Sequence, residues 1–149
     1  IWVVCIAAAT SYFVYRVLTR EIAPMLSRRE EQLAIRQFGY QREHLEARFS
    51  ELALAQNTPH DFRSIECDWK SEVSFARDRM TGCIHALVSV DIILVPAGEA
   101  LHTPLRKKAV AVFHFQNGAW GTRGVALFNQ TPADAVEYHP HHYQEIAAA

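Results

Sequence analysis

The spacing of apolar residues changes character at Pro59, and that change limits the folds open to the chain. Before it, Ile35, Phe38, Arg42, Leu45, Phe49 and Leu52 recur at alternating intervals of three and four, which sets them on one stripe of a helix. After it the period is two. Between residues 63 and 77 the odd positions Ile65, Cys67, Trp69, Val73 and Phe75 are apolar. The even positions Ser64, Glu66, Asp68, Lys70, Glu72 and Ser74 are polar. From 84 to 94 the even positions Ile84, Ala86, Val88, Val90, Ile92 and Leu94 are all apolar. One long helix followed by half-buried strands excludes all-α and all-β architectures and defines an α+β domain.

The strands arrange themselves as two hairpins. With Met80-Thr81 as a tight loop, Trp69 meets Ile92, Val73 meets Val88, and Phe75 meets Ala86 on one apolar face. Cys67 faces Leu94, and Lys70 falls opposite Asp91 on the wet face. Cys83 points to the other face from Cys67, so no disulfide joins them. The second hairpin carries the stronger signal. Asn117-Gly118 is the dipeptide preferred by type I′ turns, and it separates a strand over 109–116 from one over 119–128. Phe115 then faces Trp120 and Phe113 faces Thr122, with Val112, His114 and Arg123 on the other side. Gly121 and Gly124 are small positions suited to a bulge or to close packing of the helix. Thr131, Pro132 and Asp134 have the order of an N-cap, a first helical position and a first-turn acid. They announce a short helix ending near Tyr138, before a loose tail.

Composition matters most at the N-terminus. The whole chain is 50% hydrophobic and 21% charged, with a net charge of −1, yet residues 1–15 contain no charge. As a helix, 15 residues span roughly 22 Å and 18 span roughly 27 Å, against a hydrocarbon core of about 30 Å. Residues 1–18 are therefore expected to be a membrane anchor, extended by upstream residues, with Trp2, Tyr12 and Tyr15 at the interfaces and Arg16 snorkelling. A buried core helix and a signal-peptide remnant are the competing readings. Arg16, Arg20, Arg28, Arg29 and Arg36 all follow the apolar run, which places the C-terminal domain in the cytoplasm under the positive-inside rule. Pro24 is expected to end this helix, and Ser27 with Glu30 to cap the next one. The expected organisation is an anchor helix over 1–26, an amphipathic helix over 27–58, a four-stranded antiparallel sheet with its short helix over 59–138, and a tail over 139–149. The amphipathic stripe packs on the sheet; a short coiled coil is the alternative, weakened by Arg42 in the seam.

Chemistry-bearing residues are few. Eight histidines include the cluster His139, His141 and His142, but Pro140 breaks the segment that would organise them into a metal site. His85, Asp91 and His114, with Asp68 and Glu66 nearby, are the best catalytic candidates. The register sets them on the face opposite the apolar one, where a solvated sheet surface explains them. Arg106, Lys107 and Lys108 form a basic cluster on the loop before the third strand, able to touch anionic lipid. The aromatic residues Trp69, Phe75, Phe113, Phe115 and Trp120 read as core, although a helix lying on such a sheet can leave a cone-shaped apolar pocket. Near-neutral charge argues against nucleic acid as a partner. Three cysteines without zinc-ligand spacing exclude a disulfide scaffold. No catalytic, cofactor-binding or metal residue is assigned, and no cofactor is implied.

The order of elements resembles, in architecture only, membrane-anchored cystatin-like or NTF2-like domains, in which a helix lies across a curved antiparallel sheet. It also resembles type IV pilin-like proteins, in which an apolar N-terminal helix leads into a sheet-bearing head. No family motif is present, and neither resemblance carries residues over. The expectation is a single-pass, membrane-anchored, non-catalytic α+β module working through a protein partner or a second copy of itself. A small-molecule-binding or enzymatic domain with a pocket between helix and sheet is the alternative, and a pilin-like filament subunit the third.

Overall fold

The computed structural model describes residues 2–57, 62–97 and 103–146. Within the helix it describes the side chains of Tyr15, Arg16 and residues 27–56. The elements run α1 (Trp2–Asn57), β1 (Phe62–Asp78), β2 (Ile84–Pro96), β3 (Leu105–Gln116), β4 (Ala119–Phe128), α2 (Pro132–Glu137) and β5 (Tyr143–Ile146). The chain divides into two compact units, Ile1–Leu33 and Ala34–Ala149.

The first unit is helical. Helical backbone continues through Pro24, so the expected break there is absent. A proline's fixed φ is itself helical, and the ring forfeits one backbone bond without ending the helix by necessity. Ser27 is accordingly inside the helix, where its hydroxyl donates to Glu31 Oε1 at 3.4 Å. Among the described residues no helix is long and apolar enough to cross a membrane. The expected anchor, residues 1–18, lies outside the described side chains except for Tyr15 and Arg16.

The second unit is α+β: a long helix on one face of an antiparallel sheet with strand order β4-β3-β2-β1-β5. Five strands stand where four were expected, because the supposed tail includes β5, which pairs along the outer edge of β1 from Phe75 to Asp78. Four residues offer too few periods to be recognised as a strand from pattern alone. Ala34, Phe38, Leu45, Phe49 and Ala53 bury the helix face against Ala86, Val88, Val90, Phe113 and Trp120. Phe38 meets Trp120 edge-on at 5.0 Å, and Phe49 meets Trp69 at 5.4 Å and Phe113 at 5.9 Å. The Trp120 indole N–H donates to the Ala34 carbonyl at 2.8 Å, which satisfies the only polar atom of that ring inside the core.

Two bulges of two residues set the register, besides a one-residue shift between Phe62 and Ser64 at the start of β1. Near the first turn the expected pairs hold: Val73 with Val88 and Phe75 with Ala86. Between Trp69 and Val73 β1 takes four steps where β2 takes two, so Trp69 meets Val90, Cys67 meets Ile92, and Asp68, not Lys70, faces Asp91. The second irregularity lies where β4 runs from Thr122 to Ala126 beside Ala111–Phe113 of β3. A shift of two residues preserves which face each side chain occupies, so the core composition expected from alternation survives. Helix side chains reach both bulges. Arg42, the charge in the apolar stripe, donates to Glu46 and to the carbonyl of Lys70. Gln56 donates to the carbonyl of Arg123 at 3.1 Å.

The Asn117-Gly118 turn has positive φ at both residues (53° and 77°), as a type I′ turn requires. Gly124 also has positive φ, 74°, and a Cβ there would lie 2.9 Å from Leu52 Cβ. Both conformation and close helix approach exclude a side chain at this position. Gly118→Ala, in open space, is expected to cost about 1 kcal/mol through conformation alone. Gly124→Ala adds steric overlap and is expected to cost about 2–4 kcal/mol. Urea unfolding of both variants tests the order; equal losses would mean the helix does not press on Gly124.

Candidate functional site

The sheet face away from the helix is built from alternate residues of all five strands, and its ends differ. In the middle, Leu87 and Val110 are fully buried beneath Ala135 and Val136 of α2. Thr131 and Asp134 cap α2 reciprocally, and Pro132 opens it, so this short helix forms as its sequence announces. The face is thus not the plainly solvated surface expected. Toward the β1–β2 turn the cover ends and a cleft of about 360 Å³ opens.

His85 and His114 sit directly opposite each other on β2 and β3, with the small residues Ala76 and Gly121 as their outer neighbours in the ladder. The His114 ring fills the space a side chain on Gly121 would need, since a Cβ there would come within 3.2 Å of Nε2. His85 Nδ1 lies 3.3 Å from the Tyr143 hydroxyl, and the two rings meet edge to face at 5.6 Å. Asp78, Thr81, Cys83, Gln116 and Arg123 complete the polar lining, over Val112 and Leu127.

The electrostatics keep the imidazoles uncharged at neutral pH. Burial pushes the His85 value down; the Asp78 carboxylate pulls the other way, and repulsion from a protonated His114 and from Arg123 adds to the lowering. Burial and Arg123 push His114 down as well. Burial, then Asp78, raises the Tyr143 phenol. Burial alone would raise the Asp78 carboxyl, but N–H groups of Met80 and Thr81, the Thr81 hydroxyl and His85 hold it below the usual carboxylate range. The cleft therefore presents two neutral imidazoles, a phenol, one guanidinium and the Asp78 carboxylate: hydrogen-bonding groups around an apolar floor. Among the described residues no serine, threonine or cysteine hydrogen-bonds either imidazole; the one side-chain partner is the Tyr143 hydroxyl on His85. Nor does any group of three or more His, Cys, Asp or Glu among the described residues have the geometry to hold a metal ion.

The other candidates lie elsewhere. Asp91, only 8% exposed, belongs to an ion-pair cluster. It accepts from Arg106 at 2.9 Å, with Lys70 3.6 Å away, while Asp68 contacts Lys70 at 2.6 Å and Arg106 at 3.2 Å. Two like charges placed opposite by the bulge are thereby neutralised by two cations, a structural duty. Glu66 is exposed beside this cluster. Arg106, Lys107 and Lys108 belong to β3 rather than to a loop, and alternation sends Lys107 to the helix side. The segment carrying His139, His141 and His142 is docked on the β1–β2 turn. The Arg79 backbone N–H donates to the His142 carbonyl at 2.8 Å and its Nε to the Pro140 carbonyl at 3.0 Å. The sequence signal missed here was Tyr143: its place beside His85 depends on β5, whose pairing no local pattern declares. No protein family, curated protein or solved structure matches the chain.

The lowered His85 value has a consequence for stability. Above its ordinary value of 6.5 both folded and unfolded chains hold a neutral ring. As pH falls through that value the unfolded chain takes the proton first, so stability is full above it and declines toward the folded-state value. His114 acts with the same sign. His85→Gln is expected to reduce, without abolishing, the fall in urea midpoint between pH 7.5 and about pH 5. An unchanged slope would show that His85 is not buried in the folded chain.

Proposed function

We propose that the protein is a non-catalytic binding module tethered to a membrane by residues 1–18, with its α+β domain in the cytoplasm. The observation that carries this reading is the division of the chain. The helix–sheet core of the described residues lies within the unit Ala34–Ala149, and the charge-free block falls in the other unit, a division that supports a tether. The long helix on an antiparallel sheet supports a cystatin-like or NTF2-like architecture. The uninterrupted helical backbone through Pro24 supports the pilin-like alternative. As partner we propose a protein or a second copy of the chain; the open edge of β4, with Val125 and Phe128 about half exposed, favours such a contact.

A second reading, a small-molecule site, is favoured by one observation: His85 and His114 line a concave cleft. Its ligand would be small and polar at one end, hydrogen-bonded by neutral imidazoles. Titration of a fragment set, followed through the imidazole C–H resonances, tests it; a set in which no member moves both rings counts against it.

The tether makes a sharper demand. The full chain is expected to float with neutral liposomes in a density gradient, while residues 27–149 stay at the bottom and keep the near-ultraviolet circular dichroism of a packed aromatic core. A truncated chain that loses that signal and aggregates would place the N-terminal block in the core and overturn the tether.

A further inference from the structure

The helix–sheet interface is filled unevenly. Toward the β1–β2 turn Phe38, Phe75, Phe113 and Trp120 pack ring against ring. Toward the other end the positions between helix and sheet are small: Ala53 on α1, Gly124 and Ala126 on β4. Among the described residues no large side chain fills the space they leave, and a pocket of about 190 Å³ remains. Ile65, Ile92 and Leu94 form its floor. The close approach of Leu52 and Ala53 to Gly124 seals one side.

The rim differs in chemistry from the floor. Phe128, 48% exposed, stands at the mouth, and the Lys107 ammonium lies 5.9 Å from its ring centroid. Among the described residues Lys107 is the only charged one lining the pocket, and it pairs with no carboxylate there. Its neighbour Arg106, by contrast, is engaged with Asp68 and Asp91 on the opposite face. An apolar slot with one available cation at its entrance suits a molecule with an apolar body and one negative end.

We propose that this pocket binds a short unbranched carboxylate, a medium-chain fatty acid, with the chain between Ala53 and Ile92 and the carboxylate at Lys107. A cavity of about 150 Å³ holds a benzene-sized molecule, so this one accommodates about six to nine non-hydrogen atoms, room for the seven-carbon chain of octanoate with its carboxylate outside at Lys107. The site is separate from the histidine cleft; the tether enters only through the nanodisc that houses the full chain.

The test uses the full chain in nanodiscs of neutral lipid, titrated with octanoate and, in parallel, with octanol. Methyl resonances of Ile65, Ile92 and Leu94 report on the pocket and are blind to probe dissolved in the bilayer. Octanoate is expected to shift them saturably. Lys107→Gln, an exposed substitution, should weaken octanoate about fivefold, the upper range for an exposed ion pair, and leave octanol within twofold. Ala126→Leu should fill the slot and remove both responses while resonances at the Phe113 end stay in place. If octanoate moves none of the three methyls, or Lys107→Gln leaves the preference for octanoate over octanol unchanged, the proposal fails. A folded Ala126→Leu chain that still binds both probes would overturn it equally.

Discussion

One helix face, laid on one sheet face, is the contact on which the rest of the domain depends. Along Ala34, Phe38, Leu45, Phe49 and Ala53 the large residues lie between two alanines, so that Phe38 and Phe49 enter the space above β2 and β3 while the alanines let the backbone come close. Each buried phenylalanine contributes about 2–3 kcal/mol. The same contact dictates the polar details. Trp120 can sit at the centre because a helix carbonyl, that of Ala34, receives its N–H. Gly124 must be glycine because the helix passes over it.

The bulges are part of that contact. A bulge removes backbone groups from the ladder and leaves them needing partners. In β1 the freed carbonyl of Lys70 accepts from Arg42; in β4 the carbonyl of Arg123 accepts from Gln56. The Val112 carbonyl, opposite the second irregularity, accepts from the Thr122 hydroxyl at 3.2 Å. Two polar residues of the helix thus align it along the sheet at both irregular points. Arg42, which looks like a flaw in the apolar stripe, is the residue that makes the first bulge tolerable.

Much of this was legible in the sequence. Alternation assigned nearly every strand residue to the correct face, and face assignment is insensitive to the two-residue shifts that bulges introduce. The Asn117-Gly118 turn and the Thr131–Asp134 cap were legible because their chemistry is local. Pairing partners beyond the first bulge were not, although Ser71 breaks the alternation within 63–77 and Arg42 interrupts the stripe that would face it. Read together, those two anomalies mark the bulge. The fifth strand was hidden because it is short and its pairing is long-range. With it went the place of Tyr143, hence the form of the histidine cleft. The Asp68–Asp91 apposition was hidden for the same reason as the register.

The two faces of the sheet settle different problems. On the helix side the difficulty is volume, and it is solved with rings at one end and left incompletely solved at the other, where alanine and glycine stand. On the far side the difficulty is charge. The four-charge cluster around Asp91 neutralises itself, and α2 covers the apolar centre. His85 and His114 then occupy a stretch of this face that α2 leaves uncovered. Their neutrality follows from burial in company with Arg123, which penalises the protonated form. Two neutral imidazoles with a phenol beside them give this stretch hydrogen-bonding groups above the apolar floor of Val112 and Leu127.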